Sequence, residues 1–104
     1  MFEIRLGLVG ESEQTVTEDL TAGSLGSGLV PAFATPAMIA LMENASVNAI
    51  RKCLQTGKTS VGIEVNVKHF AATPVGMRVR ARAEVISVQK LHVTFHVDAW
   101  DGKD

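Results

Sequence analysis

FATPAMIALMENASVNAI, residues 33–50, is the stretch whose reading decides the fold. Thr35-Pro36 is a helix start signal: a hydroxyl at the cap, then proline at the first helical position, where no N–H is needed. At about 100° per residue, Met38, Met42, Ala45, Ala49 and Cys53 form the centre of one apolar face. Asn44, Asn48, Arg51 and Gln55 form a polar arc opposite. The spacing predicts a helix from Thr35 to about Gln55, stopped by Gly57. A lone helix with one apolar face needs a sheet to cover it.

The rest of the chain supplies strands. TSVGIEVNVKHF (59–70) alternates, with Val61, Ile63, Val65 and Val67 on one face. After the turn AATPVG (71–76), MRVRARAEVISV (77–88) places Val79, Ala81, Ala83 and Val85 on one side and Arg78, Arg80, Arg82 and Glu84 on the other. A tight turn at Gln89-Lys90 leads into LHVTFHVDAW (91–100), where Leu91, Val93, Phe95 and Val97 share a face. Residues 2–18 read as two short strand-like stretches interrupted around Gly10, and TAGSLGSGLVPAF (21–33) reads as a flexible loop. The class is α+β, one domain over residues 1–104, with an antiparallel meander covered by the helix.

Composition narrows the function. Hydrophobic residues are 46% of 104, enough for a core, and Lys+Arg 10 against Asp+Glu 11 gives a net charge of -1. No basic surplus exists to neutralise phosphates, so no nucleic-acid partner is expected. No apolar run approaches the roughly 20 residues of a bilayer span, and MFEIRLGLVG lacks a signal-peptide pattern. With a single cysteine, Cys53, the chain reads as cytoplasmic and reduced, with no membrane partner. Gly57-Lys58-Thr59 follows a helix instead of opening one, so it is no phosphate loop.

Three residues carry candidate chemistry. Glu43 falls on the shoulder of the apolar helix face, where an unpartnered carboxylate is costly. His69 continues the Val61–Val67 row, so both side chains are expected to point into one interior, as an acid/base pair or as a structural anchor between helix and sheet. Thr35, about 12 Å from Glu43 along a regular helix, is a cap or a third member of the set. The amides of Ala37 and Met38 are expected to be free at the helix start and to favour developing negative charge. Met38 and Met42 read most simply as core residues, with the lining of a pocket as the alternative. The row Arg78, Arg80, Arg82 reads as a solvated or packing surface, or as a phosphate contact. His92 and His96, four strand residues apart, are roughly 13 Å from each other, too far for one metal ion, and no metal site is expected.

ATPAMIALMEN and TSVGIEVNVKHFAATPVGMRVRARAEV together resemble the hotdog-fold thioesterases related to fluoroacetyl-CoA thioesterase. The resemblance runs from about Glu13 to the C-terminus. It implies a catalytic set of Thr35, Glu43 and His69, with Gly62 near the acyl pocket and Phe33, Ala37, Met38 and Met42 as substrate-binding residues. It implies a hotdog fold, a long helix wrapped by a curled antiparallel sheet, and a homodimer with active sites at the subunit interface. The activity implied is hydrolysis of a small acyl-CoA, with coenzyme A as part of the substrate and no other cofactor. A non-catalytic acyl-CoA-binding domain is the alternative. Two departures stand out: SLGSGLVPAF lacks the family's aromatic lid, offering Leu29 and Phe33, and the last family strand is missing after Asp101-Gly102. The first favours a general acyl-CoA over the fluoroacetyl thioester.

Overall fold

The computed structural model describes residues 3–54, 60–69 and 72–101. Strand β1 (Val9–Thr15) leads through a 3-10 turn (Glu18–Leu20) and a short helix α1 (Ala22–Leu25) into the long helix α2 (Thr35–Ile50). A 3-10 turn (Arg51–Cys53) follows, and β2 (Arg78–Gln89) and β3 (His92–Asp101) complete the order. Among the described residues these strands form one antiparallel sheet, β1-β2-β3, with Gly10 opposite Ala83 and Ala81 opposite Ala99. Gly57, proposed as the helix stop, lies outside the described residues, as does the Gly57-Lys58-Thr59 match.

α2 lies across one face of this sheet. Met38, Leu41, Ala45, Ala49 and Ile50 are its buried side chains, and they meet Val79, Ala81, Ala83 and Val85 from β2, with Val16 and Phe33 closing one end. The alternation expected for β2 is therefore observed. Burial of residues the size of Leu41 or Met38 contributes about 1.5–3 kcal/mol each. The helix is shorter than its pattern predicts, because the backbone tightens to 3-10 geometry after Ile50. Cys53 consequently leaves the apolar face and is half-buried beside the Glu3 carbonyl.

Gly10 does not interrupt a strand; it lies within β1 and is buried. A β-carbon on it would stand 2.2 Å from the Ala49 nitrogen and 2.3 Å from the Ala45 carbonyl oxygen. Small residues on both elements thus let backbone meet backbone. Polar contacts seal the seam beside it, where Ser12 donates to Asn44 Oδ1 at 2.6 Å and Asn48 donates to the Glu11 carbonyl at 2.8 Å. Gly10→Ala is expected to destabilise the fold by about 1–3 kcal/mol or more, an overpacking effect. A lowered urea midpoint with an unchanged slope is the reading that checks it.

The outer sheet face is charged. Glu13 accepts from Arg78 at 3.1 Å and from Arg80 at 2.6 Å, and Arg82 pairs with Glu84 at 3.4 Å. Desolvation, which alone raises the Glu13 carboxyl, is outweighed by Arg78 and Arg80, and its pKa is held below the ordinary value. Arg78 and Arg80 are thereby engaged in exposed cross-strand ion pairs, and Arg82 in one along β2. His92 and His96 are exposed on the same sheet, and His96 lies 3.3 Å from Asp98.

Residues 61–69 differ most from expectation. They form no ladder with the sheet, although their alternation predicts a strand. Val61, Ile63 and Val65 are exposed, at 79%, 74% and 51%, and only Val67 packs on the core. The hydrophobic row is present, but among the described residues no neighbouring strand meets it. No helix among the described residues is long and apolar enough to cross a membrane.

Candidate active site

The helix start positions the first catalytic candidate. Ala34, not Thr35, is the N-cap, and no side chain caps the helix there. Thr35 is the first helical residue, so its hydroxyl is free of capping duty and lies 2.8 Å from His69 Nδ1. Both residues are exposed at the mouth of a cleft of about 260 Å³. Ala22, Ser27, Val30, Ala32, Phe33 and Ala72 line the rest of it. The Met38 amide is not free: it donates to the Ala34 carbonyl at 2.9 Å in the first helical turn. Pro36 has no N–H, and the Ala37 amide has no partner among the described residues. The Thr35 and Ala37 amides are therefore both without a partner among the described residues at the positive end of a 16-residue helix, beside the Thr35–His69 pair.

Glu43 is placed differently from its sequence reading. It is exposed, and it makes no hydrogen bond or ion pair among the described residues. Its carboxylate lies over Gly62, where a β-carbon would come 2.5 Å from Oε2. The helical wheel places Glu43 correctly in angle, but burial on that shoulder depends on what covers it, and here the cover is a bare glycine. Thr35 touches His69, then, and Glu43 touches Gly62. Eight helical residues, about 12 Å of rise, separate the two contacts.

The expected substrate-binding residues divide in the same way. Phe33 lines the cleft and is buried at its base. Met38 is buried in the core, while Ala37 and Met42 are half-buried and pack against it. Gly62 lies at the Glu43 end. Ser27, Val30, Ala22 and Ala72 escaped the sequence reading, since loop residues carry no periodicity that declares which way they face. A second depression, about 390 Å³, is lined by Glu11, Ser12, Glu13, Arg80 and Ala81. It shares no residue with the Thr35–His69 cleft, and two of its charged groups, Glu13 and Arg80, pair with each other at 2.6 Å.

One long helix laid across an antiparallel sheet, with polar groups gathered at the helix start, defines a hotdog-type domain. The chain superposes with a TM-score of 0.82 on a hot-dog-like protein from Thermanaerovibrio acidaminovorans, 22% identical, over 94% of this chain and 73% of that one, a likeness of fold alone. The family model described as fluoroacetyl-CoA-specific thioesterase matches residues 16–104, and the chain belongs to that family. It is 43% identical over 72 residues to the fluoroacetyl-CoA thioesterase of Streptantibioticus cattleyicolor, covering 69% of this chain. The match spans about half of that relative, 52% of its length. The solved fluoroacetyl-CoA thioesterase FlK superposes with a TM-score of 0.91 at 33% identity, over 99% of this chain and 81% of that one.

Proposed function

We propose that the chain is an acyl-CoA thioesterase that hydrolyses a small acyl-CoA to the free acid and coenzyme A. The observation that carries the reading is the 2.8 Å contact of Thr35 Oγ1 with His69 Nδ1 at the start of α2. It supplies an oriented acid/base beside an unspent backbone donor, which is what thioester hydrolysis requires. Family membership supports the same chemistry, and a variant of the related thioesterase has been solved in complex with acetyl-CoA.

In the proposed mechanism, the thioester carbonyl oxygen faces the helix start, where the Ala37 amide stabilises the charge that develops on it. The Thr35 hydroxyl donates to Nδ1, so the ring proton sits on Nε2. From there it hydrogen-bonds the departing sulfur, and coenzyme A leaves as the thiolate, which takes up the proton given by the attacking water. Glu43 removes a proton from the attacking water, or attacks the carbonyl itself and is then released by water. Both routes require Glu43 ionised near the carbonyl.

Glu43 and His69 of one chain lie at separate ends, so we assign each site to two chains. Residues 61–69 offer unpaired backbone and an exposed Val61, Ile63, Val65 row, the character of an open strand edge. Antiparallel self-pairing about a two-fold axis between Val65 and Asn66 sets Gly62 opposite His69. The carboxylate resting on Gly62 then reaches the partner's His69, and a homodimer holds two composite sites.

The test is thiol release from a panel of acyl-CoAs, short-chain to aromatic, with wild type beside His69→Ala. Release by wild type and its loss in the variant, by roughly two to four orders of magnitude, is the expected result. Calorimetric binding of acyl-CoA with no thiol released overturns the reading and makes the chain a binding domain.

A further inference from the structure

We propose that Val30 sets the length of acyl chain admitted to the Thr35–His69 cleft. The inference rests on the thioester reading above for its chemistry, though part of its test does not depend on turnover.

Residues 21–33 are not the free loop their composition suggests. Isolated bridges join Thr21 to Phe33 and Ala32 to Pro74. Inside them, Ala22 N–H donates to the Ala32 carbonyl at 2.9 Å, Ser27 N–H to the Ala22 carbonyl at 2.9 Å, and Gly23 N–H to the Val30 carbonyl at 3.3 Å. Gly26, at φ 73°, makes the left-handed turn that ends α1 and reverses the chain. The segment is a compact, self-bonded loop, so the cleft wall it forms has a set position.

Within that wall the choice of a size-determining residue is narrow. Ala22, Ala32 and Ala72 are too small to be trimmed usefully, and Phe33 is 3% exposed and belongs to the core. Ser27 is small and polar. Val30 is the branched aliphatic side chain lining the cleft among the described residues, and at 55% exposure it supports no core contact. Its neighbour Leu29, although larger and 97% exposed, does not line the cleft. Because Val30 lines this space of about 260 Å³, the bulk of its side chain takes up room that a longer acyl chain would fill.

The experiment compares wild type, Val30→Ala, Val30→Phe and Leu29→Ala across a series from acetyl- to octanoyl-CoA. Thiol release is read as kcat/KM, and binding of the matching non-hydrolysable thioether series is read by calorimetry. Val30→Ala is expected to move the preferred chain one or two carbons longer, by about fourfold in preference per methylene accommodated. Val30→Phe should move it shorter, and Leu29→Ala should leave the profile in place. Profiles that stay put in both Val30 variants, or a shift with Leu29→Ala alone, overturn the assignment. If no protein releases thiol yet the binding profiles shift with Val30, the cleft assignment stands and the thioesterase reading falls.

Discussion

A Glu43→Gln chain should release thiol from a short acyl-CoA roughly 10²–10⁴-fold more slowly than wild type, with an unchanged thermal midpoint. The two parts of this expectation have separate causes. Glutamine keeps the shape of the side chain but neither takes a proton nor attacks a carbonyl at neutral pH, so a base or a nucleophile is lost. The fold of each chain is spared because within it Glu43 is exposed and has no hydrogen-bond or ion-pair partner among the described residues, the type of position where a polar exchange stays within about 0.5 kcal/mol. A glutamine amide still hydrogen-bonds the partner's His69. Substrate binding should survive as well, so the loss should appear in kcat. Full residual activity in Glu43→Gln would remove Glu43 from the catalytic set and leave its carboxylate as a surface group above Gly62.

Mixing two inactive variants should restore activity. If each site takes His69 from one chain and Glu43 from its partner, a heterodimer of His69→Ala and Glu43→Gln chains holds one intact site and one doubly impaired site. In the purified heterodimer a two-fold pairing predicts about half of wild-type activity, one working site of two. Should both groups act from the same chain, every site in every dimer carries a defect and the mixture stays inactive. Co-expression of the two chains with different affinity tags, followed by thiol release on the doubly purified fraction, gives the answer. The contrast is large because the single variants are each expected to be nearly silent.

Much of the architecture was legible along the chain because burial leaves a period in the sequence. The alternation Val79, Ala81, Ala83, Val85 predicted the covered face of β2, and that face is buried. Met38, Ala45 and Ala49 marked the covered side of α2, although Leu41 and Ile50 share it. Periodicity misled where a row of apolar side chains lacks a neighbour. Val61, Ile63 and Val65 have the pattern of a core strand and yet are exposed, since alternation records which face is apolar and says nothing about what meets it.

Two glycines make the same point at shorter range. Gly10 reads as a break in a strand, whereas its lack of a side chain is what lets β1 touch α2 at Ala45 and Ala49. Gly62 reads as one small residue in an alternating run, and only in three dimensions does it lie under the Glu43 carboxylate. A missing β-carbon carries no direction, so its purpose depends on whichever atoms arrive from elsewhere in the chain.

By itself the sequence determined the class of the fold and the covered face of β2, and it singled out Thr35, Glu43 and His69 as candidates for chemistry. These follow from local periods and from residue types, which are properties of the chain read in order. Only the tertiary structure decided that Thr35 bonds His69 while Glu43 stands apart over Gly62, and that Val30 rather than Leu29 lines the cleft. Such choices depend on through-space distances of a few ångströms between segments 20 to 40 residues apart, set by how β1, α2 and the 21–33 loop pack together, and no local pattern encodes them.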